Sequence, residues 1–147
     1  MIRVLCVGKL SKPLFEKAVH HYTKQIQPVL TWTEVADGKD DKDIKAEGER
    51  LLSKVKETDH VVALAIEGKQ MDSERFSRLV DDALTYGRGD LVFVIGGSHG
   101  LSEDVLRRAD RMISFSPMTF PHQLMRVVLA EQIFRARMIA KGHPYHK

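Results

Sequence analysis

Apolar and polar positions alternate between two periods along the chain. Ile2–Val7 is an apolar, β-branched run and predicts a buried strand. From Pro13 to about Ile26 the apolar residues Leu14, Phe15, Ala18, Val19, Tyr22 and Ile26 recur at spacings of three and four, so a helix follows, opened by proline. Val29–Val35 alternates residue by residue and predicts a more exposed strand; Asp37-Gly38-Lys39-Asp40-Asp41 is a polar turn. A charged helix with a sparse apolar stripe is expected from Asp41 to about Glu57, then a buried strand over His60–Ile66 that Gly68 should break. Asp72 or Ser73 caps a helix running to Tyr86, and Gly87-Arg88-Gly89-Asp90 turns the chain back into Leu91–Ile95, the clearest central strand. Ser102 caps a short helix to about Ala109, Arg111–Phe115 reads as a fifth strand, and His122 to about Ala140 is a long final helix.

Strands that alternate with helices predict an α/β domain with a mostly parallel sheet and helices on both faces. No repeat or linker divides residues 1–147, which are expected to form a single domain. In such sheets ligands bind beyond the carboxyl ends of the strands, so the loops after Ile66, Ile95 and Phe115 draw attention. The final helix is apolar around most of its circumference. A second subunit is the economical cover for its outer side; the competing reading is cover by the charged second helix.

Composition narrows the field. No run of about 18 apolar residues occurs, so no membrane span is expected, and the N-terminus reads as a strand rather than a signal peptide. One cysteine, Cys6, permits no internal disulfide and fits a reducing cytoplasm. With no H-E-x-x-H or C-x-x-C spacing, no metal site is expected. Net charge is only +3, but it is uneven: residues 121–147 hold five Lys and Arg against one acid, whereas residues 1–120 are nearly balanced. Such an end reads either as a contact for an anionic partner or as ordinary helix C-terminal cations.

Three groups of residues are candidates for chemistry. The loop Gly96-Gly97-Ser98-His99-Gly100 follows a buried strand but matches neither a dinucleotide fingerprint nor a P-loop. It is either a ligand loop or a tight turn. The stiff loop Phe115–Pro121 would present backbone groups to a flat heterocycle, or would simply connect two elements. On the last helix His122 and Arg126 share a face, and Glu131 and Arg135 form an i,i+4 pair read as structural. The tail His143-Pro144-Tyr145-His146 adds imidazoles and a phenol to a segment that would ordinarily fray.

Taken together, Phe93–Leu101, the unbroken run Ser114–Gln132 and the ending His143-Pro144-Tyr145-His146-Lys147 closely resemble the bacterial ribosomal RNA large subunit methyltransferase H family, and the likeness extends to the opening Val4–Lys9. The resemblance implies a SPOUT-class fold with a C-terminal trefoil knot and a homodimer. It also implies S-adenosyl-L-methionine as methyl donor and methylation of N3 of a pseudouridine in 23S rRNA of the assembled ribosome. It places donor contacts on Leu64, Gly96, Phe115, Ser116, Pro117, Met118, Thr119 and Phe120, where Gly96 would give the donor room. Candidates for activating or holding the base are His122, Arg126, Tyr145 and His146, the tail reaching across the dimer. The alternatives are a knotted methyltransferase acting on another rRNA or tRNA position, and a catalytically silent ribosome-binding dimer.

Overall fold

The computed structural model describes residues 1–147. Five strands form one sheet in the order β2-β1-β4-β3-β5, with every neighbouring pair parallel. The strands are β1 (Ile2–Val7), β2 (Leu30–Val35), β3 (His60–Gln70), β4 (Leu91–Ile95) and β5 (Arg111–Ser114). Helices α1 (Pro13–Thr23), α3 (Ser73–Tyr86) and α5 (His122–Ala140) cover one face; α2 (Ile44–Leu52) and α4 (Glu103–Arg108) cover the other. The expected α/β architecture is therefore present.

Alternation within the buried strands serves both faces. Ile2, Val4, Cys6, Leu91, Phe93 and Ile95 pack in the larger core with Phe76, Leu129 and Ile133. Leu5, Val7, Val92 and Val94 pack in the smaller core with Leu51 and Val105. Strands apolar on both sides belong in the middle of a parallel sheet, and β1 and β4 are there. Burial pushes the Cys6 thiol up to about 11, so it stays protonated and unreactive at neutral pH.

Three elements depart from expectation by more than one residue. The second helix begins with a 3-10 turn, Asp41–Asp43, held by a capping box between Asp40 and Asp43. It stops at Leu52, where the Ser53 hydroxyl donates to the Arg50 carbonyl (2.7 Å). Helix α1 ends at Thr23 rather than Ile26. Gly68 does not break β3. The strand continues to Gln70, and its register with β5 jumps between Leu64 and Lys69. Gly68 is the point of closest approach, since a Cβ there would lie 2.7 Å from the backbone N and C of Ile113.

Helix α5 lies between α1 and α3 on the sheet. Helix α2 is on the far face against α4, so it does not cover the outer side of α5. Leu124, Val127 and Val128 remain only half-buried there. At the amino ends of the strands, arginines close the chain on itself. Arg3 donates to Asp90 (3.0 Å), Asp59 and the Lys54 carbonyl (2.8 Å), and Arg108 donates to the carbonyls of Lys56 (2.9 Å) and Asp59 (3.1 Å). No helix is long and apolar enough to cross a membrane.

Candidate functional site

At the opposite, carboxyl ends of β3, β4 and β5, the three expected loops converge on one cavity of about 320 Å³. Leu64–Glu67 supplies one wall, Ile95–Leu101 a second, and Ile113–Ser116 with Met118–Phe120 a third; His122 and Met125 of α5 close it. Seven of the eight residues expected to hold a donor are on its surface. The exception is Pro117, an exposed residue that does not reach the wall.

Local chemistry shapes each loop. The Gly96 loop is both of the things its sequence allowed. It is a tight turn, with the Gly100 N–H donating to the Gly97 carbonyl (3.1 Å), and it lines the cavity. Gly96 lines the cavity, and the turn adds a requirement of its own. A Cβ at Gly96 would lie 2.5 Å from the Gly100 carbonyl oxygen, so the turn itself demands the glycine. In the third loop the Ser114 hydroxyl donates to the Ser116 carbonyl (3.0 Å), and the Ser116 hydroxyl accepts from the Met118 N–H (3.0 Å). The N–H groups of Thr119 and Phe120 make no bond within the chain and are free for a ligand edge.

The residues expected to act on a base are not gathered together in one chain. His122 is at the cavity, its Nε2 4.0 Å from where a Gly8 Cβ would be. Arg126 reaches the same glycine one turn later but is 1% exposed. Its guanidinium pairs with Glu34 (2.6 Å) and donates to the carbonyls of Val7 (3.2 Å) and Gly8 (2.8 Å). Buried and engaged in this way, Arg126 acts as a clamp on the ends of β1 and β2, not as a free cation for a phosphate or base.

Tyr145 and His146 are elsewhere. The tail does not fray: it folds back on α5, where the Tyr145 ring packs edge-on against Phe134 (4.8 Å between centroids) and under the Arg135 guanidinium (4.8 Å). Arg135 bonds Glu131 through two nitrogens (2.9 Å each) and His146 Nδ1 (3.0 Å), and the Tyr145 hydroxyl reaches Glu131 (3.4 Å). Burial and the Glu131 carboxylate hold the Tyr145 phenol above its ordinary value, so it is a donor rather than a base at neutral pH. His146 borders a second cavity of about 460 Å³ between α3 and α5, and Phe115 forms a wall of both cavities.

Two features were missed in the sequence. Glu67 reaches the first cavity because β3 runs on past Ile66, which the apparent break at Gly68 concealed. Glu47 lies 3% exposed beside Asp37 and accepts from the Gly38 N–H (2.7 Å), while its Oε1 meets no donor. Burial first, and Asp37 beside it, raise the Glu47 carboxyl; a proton between the two carboxyls satisfies the orphan oxygen. The native state then binds more protons than the unfolded chain, so stability falls as pH rises above the ordinary carboxyl range. In Glu47→Gln the amide keeps the Gly38 bond and donates to Asp37. Its melting midpoint above the ordinary carboxyl range is expected to equal or exceed that of the parent, with the parent's decline there absent in a pH series of thermal melts.

A parallel α/β sheet whose reversed strand-end loops form one mostly apolar pocket defines a small-molecule-binding enzyme domain, and comparison with known proteins says which. The family described as predicted SPOUT methyltransferase matches residues 1–146. The ribosomal RNA large subunit methyltransferases H of Lactobacillus acidophilus and Bacillus pumilus are 47% and 46% identical to this chain, each over 99% of both sequences. Among solved structures, a probable methylase family protein from Haemophilus influenzae superposes with a TM-score of 0.60 at 9% identity, covering 99% of this chain and 70% of that one. The SpoU methyltransferase AviRb from Streptomyces viridochromogenes, in complex with AdoMet, gives 0.52 at 12% identity, covering 92% and 57%. The chain belongs to the SPOUT methyltransferase family, and within it to the ribosomal RNA large subunit methyltransferase H proteins. The family's C-terminal knot and its use of S-adenosylmethionine come with that membership.

The cavity suits this donor. Leu64, Ile95, Phe115, Met118 and Phe120 offer apolar walls to an adenine and a thioether. The free N–H groups of Thr119 and Phe120 suit the ring edge, and the Glu67 carboxylate suits a cationic group. No group of three or more His, Cys, Asp or Glu is placed to hold a metal.

Proposed function

We propose that this protein transfers a methyl group to N3 of a pseudouridine in 23S rRNA of the assembled ribosome, as a homodimer working in the cytoplasm, with residues 1–147 acting as a single domain. One observation carries the reading. The convergence of the three strand-end loops on one donor-sized cavity occurs in a chain 47% identical, end to end, to a protein named for ribosomal RNA methylation.

S-adenosylmethionine supplies an activated sulfonium methyl, so the protein's task is alignment and management of one proton. N3 of a uracil-type ring carries a hydrogen and is a poor nucleophile until that hydrogen leaves. His122, the imidazole on the first turn of α5, is the proton acceptor in this scheme; Leu64, Phe115 and Met118 with the Thr119 and Phe120 amides fix the donor. Tyr145 and His146 fold onto their own α5, away from the donor cavity, and serve the site of a second copy docked on the half-buried Leu124, Val127 and Val128. Arg126 acts indirectly, by holding Gly8 against His122.

Purified protein with labelled S-adenosylmethionine and ribosomes lacking the modification tests this directly. Methyl incorporation into 23S rRNA, mapped by mass spectrometry to N3 of one pseudouridine, is the expected result, together with a dimeric mass by sedimentation. Incorporation elsewhere, or into free RNA in preference to ribosomes, overturns the substrate; a monomer that remains active overturns the shared site.

A further inference from the structure

The segment between β1 and α1 is unusually well held for a loop. The Val7 and Gly8 carbonyls accept from Arg126, the Leu10 N–H donates to Glu34 (2.6 Å), and the Ser11 and Lys12 N–H groups donate to Gln123 Oε1 (3.3 and 3.4 Å). The Gln123 amide also donates to the Ser11 hydroxyl (3.1 Å). Three side chains from α5 and β2 thus fix the backbone of Val7–Lys12 as a ledge. Its inner end, Gly8, abuts His122 at the mouth of the donor cavity.

The ledge carries two exposed cations, Lys9 and Lys12. Neither is in an ion pair, and Lys12 extends over the Phe15 ring (5.9 Å). Six of the arginines, Arg3, Arg107, Arg108, Arg126, Arg135 and Arg137, have carboxylate partners; other cations are also unpaired, and what sets Lys9 and Lys12 apart is the fixed backbone beneath them and its place beside the cavity. Two unpaired ammonium groups on a rigid support beside a catalytic mouth are placed to receive a polyanion. Because the ledge is already ordered, little conformational entropy is lost when it binds.

We infer that the Val7–Lys12 ledge is a contact surface for the RNA backbone, with Lys9 and Lys12 each neutralising a phosphate flanking the target nucleotide. This rests on the ribosomal reading of the substrate. Phosphate contacts of this kind set register rather than sequence choice.

The test uses full-length protein, the Lys9→Ala/Lys12→Ala variant, the Lys9→Arg/Lys12→Arg variant, and Lys54→Ala/Lys56→Ala as a control with the same charge loss at the far end of the sheet. Co-sedimentation with bacterial 70S ribosomes across a potassium chloride series reads the contact whether or not methyl transfer occurs; KM and kcat are read alongside. The ledge alanine variant is expected to bind ribosomes about tenfold more weakly, to raise KM correspondingly, and to reduce the slope of log affinity against log salt by about 1 to 2. Its kcat and its calorimetric affinity for S-adenosylmethionine stay unchanged, and the arginine variant restores binding. Unaltered affinity and slope overturn the inference, as does an equal loss in the Lys54/Lys56 control. Normal ledge dependence without methylation would instead count against the catalytic reading, so the two failures are distinguishable.

Discussion

Gly68→Ala is expected to lower the melting midpoint by roughly 5–10 °C, on the scale of overpacking costs of about 1–3 kcal/mol, and to weaken S-adenosylmethionine binding at least tenfold. The atoms that a Cβ would meet are backbone: the N and C of Ile113 at 2.7 Å and the C of Met112 at 2.8 Å. Backbone cannot rotate aside, so β5 must move. The pairs Lys69↔Ile113 and Gln70↔Ser114 lie next to the intrusion. Ser114 in turn holds the Ser116 carbonyl, and the loop it anchors forms a wall of the donor cavity. Scanning calorimetry and isothermal titration measure the two effects. A variant with parental midpoint and affinity would show that the close approach of β3 and β5 has no bearing on the pocket.

Arg126→Ala carries the second large effect. It leaves the Glu34 carboxylate without its cation, held only by the Leu10 N–H, removes the donor to the Val7 and Gly8 carbonyls, and opens a hole in a site that is 1% exposed. Breaking a buried pair from one side costs about 3–5 kcal/mol. Glu34 is 36% exposed and regains some hydration, so the low end, about 3 kcal/mol, is expected in urea titrations. Arg126→Leu combined with Glu34→Leu should recover part of that loss, because no charge is then left without a partner. Equal losses in the single and double variants would mean that the bonds to the Val7 and Gly8 carbonyls, absent from both, outweigh the ion pair.

Arg126 also shows what the sequence can and cannot disclose. Spacing places it correctly on the His122 face of α5, and both side chains do meet Gly8. Which surface covers that face depends on where β1 and β2 end relative to α5, a long-range matter that a period of 3.6 does not encode. The site loops were legible because each follows an apolar strand and carries its own turn chemistry. The continuation of β3 was not, since a glycine in a strand reads as a break until the strand packed closely against it is known. The ordered tail was hidden for a similar reason. Tyr145 is held by Phe134, Arg135 and Glu131, residues a turn apart on a helix whose end it returns to only in three dimensions.

The arginine network at the amino ends of the strands has a practical corollary. Asp59 is almost fully enclosed and Arg3 largely so, and ions in the medium have little purchase on charges shielded in that way. The lysines at the other pole stand in open water. Concentrated electrolyte should therefore detach the molecule from its template well before it loosens the sheet, so a brine wash would release folded, reusable enzyme.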